Sequence, residues 1–369
     1  MEQILLNDFK RLPAPLKAEL NRVMAEVLDS GWYILGERLK SFEKAWAKYC
    51  GVAHAVGVAN GMDAIEIGLQ TLSLRPGDEV ITTPLTAFAT VLGIIRAGAV
   101  PVLADIDADT GLLDVASAAR CVSPRTKAVL LVHLYGQIRD MDRWTDFCTA
   151  HQLLLLEDAA QAHGAEWHGQ RAGTFGAWAA YSFYPTKNLG AFGDGGALCT
   201  NRQNTAVAAA SFRNYGQSER YHHPTLGSNS RLDEIQAAIL EVLLRELPTA
   251  TTKRREIATR YHAELNSSVV FKLAAPQTTT SHAYHLYVVR SRARAELQRH
   301  LTTKAVQTLI HYPVCVHHQP PCAHLGRDPN GLRSAETFAE ECLSLPCHPY
   351  LTDDEVTRVV AAVNSFSRV

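Results

Sequence analysis

A chain of 369 residues exceeds what one hydrophobic core usually supports, so a large domain with a smaller companion is expected. Its 47% apolar and 20% charged residues are those of an ordinary globular protein. With 36 Lys and Arg against 37 Asp and Glu, the net charge of −1 excludes the electrostatic footprint of a nucleic-acid binder or of a protein drawn to acidic membranes. Eight cysteines follow no CxxC or framework spacing, the start has no basic segment leading into an apolar one, and no apolar run nears the roughly 20 residues of a bilayer span. Reduced thiols, a cytoplasmic location and a small-molecule partner are expected.

In chain order, seven runs read as strands: "HAVGVA" near 54, "DEVITT" near 79, "VPVLADI" near 100, "KAVLLVHL" near 127, "QLLLLED" near 152, "AAYSFY" near 179 and "GGALCT" near 195. Several are apolar on both alternating faces, as strands covered by helices on both sides must be. Segments such as "GMDAIEIGLQTL" and "MDRWTDFCTAHQ" have the apolar spacing of crossover helices. The pattern predicts an α/β fold with a three-layer αβα large domain around a mostly parallel seven-stranded sheet. From 233 a long helical region follows, interrupted at Pro248, and then a smaller C-terminal α+β domain with "HAYHLYVV" as strand, "SRARAELQRHLTTK" as helix and a last helix from about 353. The division is placed at 1–245 and 246–369, with the N-terminal segment in the large domain.

Ligands of open α/β sheets bind beyond the carboxyl ends of the strands. One strand ends there in Glu157 and Asp158, with Gln161 a turn later, and a carboxylate in that place needs a cation or a protonated nitrogen opposite it. The next strand delivers Ser182, Tyr184 and Lys187 to the same edge. A lysine with a lowered pKa forms a Schiff base with an aldehyde, and an aspartate facing a pyridinium nitrogen completes the pattern of pyridoxal phosphate. In "VANGMDAI", Asn60 and Gly61 lie between a strand and a helix, whose free N–H groups suit a phosphate that Ser182 also reaches. Phe88 in "TTPLTAFAT" offers a ring for stacking.

Taken singly, each of these residues has a plainer reading. Asp158 is more often a cap or turn residue, Lys187 a solvated lysine, "NGMD" a capped loop and Phe88 a core side chain. Their joint placement at strand ends on one edge is far more specific than any one of them.

With "GVANGMDAI", "GDEVITTP", "AVPVLADID", "VHLYGQIRDM", "EDAAQAHGA", "SFYPTKNLGAFGDGGAL", "NYG" and "GSNSRLDEIQAAIL" in this order, the chain resembles the DegT/DnrJ/EryC1/StrS nucleotide-sugar aminotransferases over nearly its whole length. The resemblance implies pyridoxal-phosphate fold type I (aspartate aminotransferase-like), with Lys187 in the Schiff base, Asp158 on the pyridine nitrogen, Gln161 on the ring hydroxyl, and Ser182 with the Gly61 and Met62 amides on the phosphate. It further implies a homodimer with shared active sites, Asn229 reaching the partner's phosphate, and L-glutamate and 2-oxoglutarate as the amino-acid pair. The substrate most resembling the motifs is a dTDP-linked 3-keto-6-deoxy sugar aminated at C3, although members acting on 4-keto sugars share most of them. Tyr33, Tyr184, Tyr221, Tyr312, His317 and His318 are then the substrate-facing residues, and His163 lines the pocket. In "PLTAFAT" the aromatic residue is displaced by one place relative to many members, and Met62 stands where a small hydroxyl residue is common.

No metal is expected: Cys315, His317 and His318 lie close together, but no second ligand pair has metal-site spacing. An NAD oxidoreductase would share the doubly wound sheet, but no GxGxxG follows the early strands here and Lys187 would have no role. A dehydrating relative carries histidine in place of the Schiff-base lysine, and a regulatory protein on a dead aminotransferase fold is expected to lose Lys187 or Asp158, both of which are kept.

Overall fold

The computed structural model describes residues 2–367. Helices α1 (Ala14–Ser30) and α2 (Glu37–Cys50) come first. Strands and helices then alternate: β1 (His54–Val58), α3 (Gly61–Gln70), β2 (Glu79–Thr82), α4 (Phe88–Arg96), β3 (Val100–Leu103), α5 (Val115–Cys121), β4 (Thr126–Val132), α6 (Met141–Ala150) and β5 (Leu154–Asp158). A small hairpin, β6 (Glu166–Trp167) and β7 (Gln170–Arg171), precedes β8 (Ala179–Ser182), β9 (Gly196–Thr200) and α7 (Gln203–Phe212). The 31-residue α8 (Glu234–Glu264) leads into β10 (Phe271–Lys272), β11 (Tyr287–Arg290), α9 (Arg294–Thr303), β12 (Gly326–Arg327), α10 (Arg333–Glu341), β13 (Cys342–Leu345) and α11 (Asp353–Asn364).

All seven expected strands lie in one sheet of order β1-β9-β8-β5-β4-β2-β3-β12, parallel except for the two pairings of β9. The eighth member, β12, is two exposed residues beside β3 and carries no apolar signal to read. Alternate residues of each strand enter opposite cores, which is why the runs are apolar throughout. Val129 and Leu131 of β4, Leu155 of β5 and Tyr181 of β8 face one cluster; Ala128, Leu130, Leu156 and Ala180 face the other. Three layers result.

A third cluster gathers Ile257 and Tyr261 of α8, Val289 of β11, Leu301 of α9, Leu345 of β13 and Val359 of α11 around the antiparallel sheet β10-β11-β13. Helix α8 joins it to the main sheet without the expected interruption: Pro248 sits inside the helix, whose apolar face runs from Leu240, Leu244 and Leu247 in one core to Ile257 and Tyr261 in the other. Packing along both halves outweighs the one backbone bond that proline removes. The N-terminal residues reach across to the same cluster, where Ile4 is buried, its N–H bonded to the Ala305 carbonyl at 2.8 Å, and Arg11 forks onto Glu355 with two bonds of 2.7 Å. All eight cysteines are free and buried. Among the described residues no helix is long and apolar enough to cross a membrane.

Candidate active site

Beyond the end of β8 the chain turns through residues 183–191, closed by the Ala191 N–H on the Phe183 carbonyl at 2.7 Å and pinned by the Asn188 amide on the Ala283 carbonyl at 2.9 Å. Lys187 lies on this loop. The residue is half-buried, but enclosure of its amine lowers the pKa to about 8, an effect that Asp158 opposes only in part. His163, His285 and His311 share the region. Burial, and then the Lys187 charge, push His163 down to about 3, His311 down to about 4 and His285 well below the ordinary range, so all three stay neutral.

The two carboxylates ending β5 point to opposite faces of the sheet, as strand alternation requires. Glu157 is fully buried and accepts from His133 at 2.9 Å and from the Gly173, Phe175 and Gly176 amides at 2.6, 2.8 and 2.7 Å, a structural clasp for the 173–176 turn. Asp158 accepts from the Thr90 hydroxyl at 2.7 Å and the Ala160 amide at 3.1 Å. Glu157 is thus satisfied by His133 and three amides, while Asp158 is held by neutral donors and is the carboxylate whose charge acts on Lys187.

The Asn60 side chain caps α3 by accepting from the Asp63 amide at 2.8 Å, which leaves the Gly61 and Met62 amides unbonded within the first turn. A Cβ on Gly61 would lie 2.7 Å from the Ser182 Cβ, so the missing side chain is what lets the helix end rest on Ser182. Gly196 serves the same approach, since a Cβ there would meet the Asn60 carbonyl at 2.4 Å. Two main-chain amides, a hydroxyl and a helix N-terminus thus converge, a cradle for a phosphate.

Gln161 has a fixed orientation. Its carbonyl oxygen accepts from the Tyr135 amide at 2.6 Å, so the amide nitrogen is the end presented outward, and it donates to the Tyr312 hydroxyl at 3.2 Å. Such a nitrogen donates to an oxyanion. Burial and the Asp158 charge push the Tyr312 phenol up to about 12, keeping it protonated. Acid partner, phosphate cradle, amide donor and near-neutral amine together fit pyridoxal phosphate.

The remaining expected residues fall elsewhere. Phe88 opens α4, partly exposed and two residues before Thr90. Tyr33, Tyr184 and Tyr221 are exposed, and so is Asn229, at the end of the largely exposed stretch 218–229. His317 is buried, with His318 beside it, and both meet Glu336. Sequence reading missed Thr90, His285 and His311. Thr90, in the first turn of α4, meets the hydroxyl of Thr86 in the preceding loop at 2.8 Å; the two histidines come from distant segments and leave no local signal.

The profile described as the DegT/DnrJ/EryC1/StrS aminotransferase family matches residues 15–364. The dTDP-3-amino-3,4,6-trideoxy-alpha-D-glucose transaminase of Streptomyces venezuelae is 42% identical over 360 residues, 98% of this chain and 95% of that protein. Among solved structures, S. venezuelae DesV in complex with a ketimine intermediate matches with a TM-score of 0.95 at 42% identity, covering 99% of this chain and 98% of its own. NtdA from Bacillus subtilis with bound cofactor PMP matches with a TM-score of 0.90 at 29% identity, covering 98% and 85%.

Proposed function

Because the chain belongs to the DegT/DnrJ/EryC1/StrS aminotransferase family, we propose that it transfers an amino group from L-glutamate to C3 of a dTDP-linked 3-keto-6-deoxy sugar, using pyridoxal phosphate and releasing 2-oxoglutarate. The observation that carries the reading is a Lys187 amine whose pKa burial lowers to about 8, set against Asp158 at neighbouring strand ends, beside a helix end resting on Ser182. The dTDP group and the C3 position are supported by the S. venezuelae relative, a dTDP-3-amino sugar transaminase.

The cofactor supplies an electron sink for the carbanion at the donor's α-carbon and carries the amino group between two half-reactions. Asp158, oriented by Thr90, holds the proton on the pyridine nitrogen. Gln161 donates its amide N–H to the ring oxygen, and Tyr312 steadies that amide. The Gly61 and Met62 amides and the Ser182 hydroxyl hold the phosphate. The Lys187 Nζ, with its pKa lowered to about 8, would move the proton from the donor's α-carbon to the cofactor's aldehyde carbon in the first half-reaction, and one from that carbon to C3 of the sugar in the second. Phe88, exposed at the start of α4 two residues before Thr90, would offer its ring to the cofactor for stacking.

Tyr33, Tyr184 and Tyr221 are assigned to the sugar nucleotide, on their exposure. His317 and His318 engage Glu336 and are not part of this assignment. We further propose a homodimer in which Asn229 reaches the phosphate of the neighbouring site. Exposed Trp32, Phe192, Tyr215 and Leu226 supply apolar surface that a second copy would cover.

The test is 2-oxoglutarate release with a panel of dTDP- and UDP-linked 3-keto and 4-keto sugars. Turnover of dTDP-3-keto sugars is expected. Turnover of 4-keto sugars alone would overturn the C3 assignment. In parallel, Lys187→Ala purified with pyridoxal phosphate is expected to lack the visible band of the wild-type protein, and a yellow, borohydride-reducible variant refutes the role of Lys187.

A further inference from the structure

Two elements fixed by separate anchors bring three ligand-type side chains together. The turn Val316–His318 is held by the Val316 N–H on the Pro84 carbonyl at 2.9 Å and by packing of Val316 against Val91, Leu103 and Leu325. Helix α10 is held by Asp105, which accepts from the Ser334 and Ala335 amides at 2.9 Å each. Glu336, in the first turn of that helix and 19 positions along the chain from His317, therefore faces the histidines across a preset gap. Its Oε1 lies 3.0 Å from the His317 Nε2 and 3.6 Å from the His318 Nε2, and the three residues bring one ligand atom each within 4.8 Å of one another.

We propose that His317, His318 and Glu336 form a binding site for a divalent transition metal with the coordination chemistry of zinc, the two imidazoles and one carboxylate leaving a fourth position to water. Metal–ligand bonds of about 2.0–2.1 Å in a tetrahedron set ligand atoms about 3.3 Å apart, and the two observed separations bracket that spacing. Imidazole nitrogen with carboxylate oxygen is a donor set for zinc and its neighbours, not for calcium or magnesium. His318 and Glu336 are partly exposed, giving the ion a way in and the fourth ligand a place. The absence of a metal signal in the sequence has a simple cause: the third ligand comes from another element.

The competing reading is a plain histidine–glutamate hydrogen bond, and metal titration separates the two. The holoenzyme is dialysed against chelator, returned to metal-free buffer and titrated with Zn²⁺ by calorimetry and with Co²⁺ by absorption. Expected are one ion per chain, cobalt d–d bands without a thiolate charge-transfer band, and affinity weakened about tenfold or more in both His318→Ala and Glu336→Gln. Both variants change partly exposed side chains, and circular dichroism checks that they fold. No saturable binding, a thiolate band, or binding unchanged in both variants overturns the site. The last outcome includes metal held by the cofactor itself.

Discussion

At the scale of single residues, the chemistry rests on keeping any second positive charge away from the Lys187 amine. Lys187 has three histidines near it, and each is driven neutral by burial, so Asp158 is the charged group left to act on the amine. Because the folded pKa of about 8 lies below the ordinary lysine value, the folded chain binds fewer protons than the unfolded one between about pH 8 and 10.5. Burial of Lys187 thus costs most stability below about pH 8, and the cost fades as pH rises. The same sign governs reactivity: incorporation of pyridoxal phosphate into the apoprotein should accelerate about tenfold per pH unit up to about 8 and then level off. A flat rate from pH 6 to 9 is incompatible with the lowered pKa. Thr90 gives a second test. Thr90→Val leaves one Asp158 oxygen without its donor, at about 1–3 kcal/mol, visible as a lower Tm of the apoprotein that Thr90→Ser restores. An unchanged Tm in the valine variant would show that Thr90 does not hold Asp158.

At the scale of elements, the strands were legible because both of their faces are buried, and the strand ends then located Asp158, Ser182 and Lys187 without further information. Two features were not legible. Pro248 reads locally as a break, yet α8 is packed along both halves, and tertiary burial decides. Strand β12 is too short to carry a period. The glycines that let α3 approach β8 and β9 give a sharper test of the phosphate cradle than any polar residue in it. Gly61→Ala places a methyl group against Ser182 and is expected to weaken pyridoxal phosphate affinity about tenfold or more while far-UV circular dichroism stays unchanged. Undiminished affinity would place the phosphate elsewhere.

At the scale of the whole molecule, we propose that the chain divides within α8 near residue 245, with the N-terminal residues strapped across to the smaller part through Ile4 and through Arg11 and Glu355. The shared-site dimer has a test that needs no structure. Lys187→Ala and Asn229→Ala proteins, each weakly active alone, are unfolded, mixed and refolded together; mixed dimers carry one site free of both changes, so about a quarter of wild-type activity should return. No recovery means that Lys187 and Asn229 serve the same subunit's site. The burial of all eight free thiols has a consequence of a different kind. A native sample should give almost no colour with a thiol reagent, and every thiol that does react reports an opening event. Since Cys50, Cys148 and Cys199 lie in the core of the main sheet and Cys347 in the C-terminal core, the order of labelling in mild denaturant is a clock already written into the chain for which half loosens first.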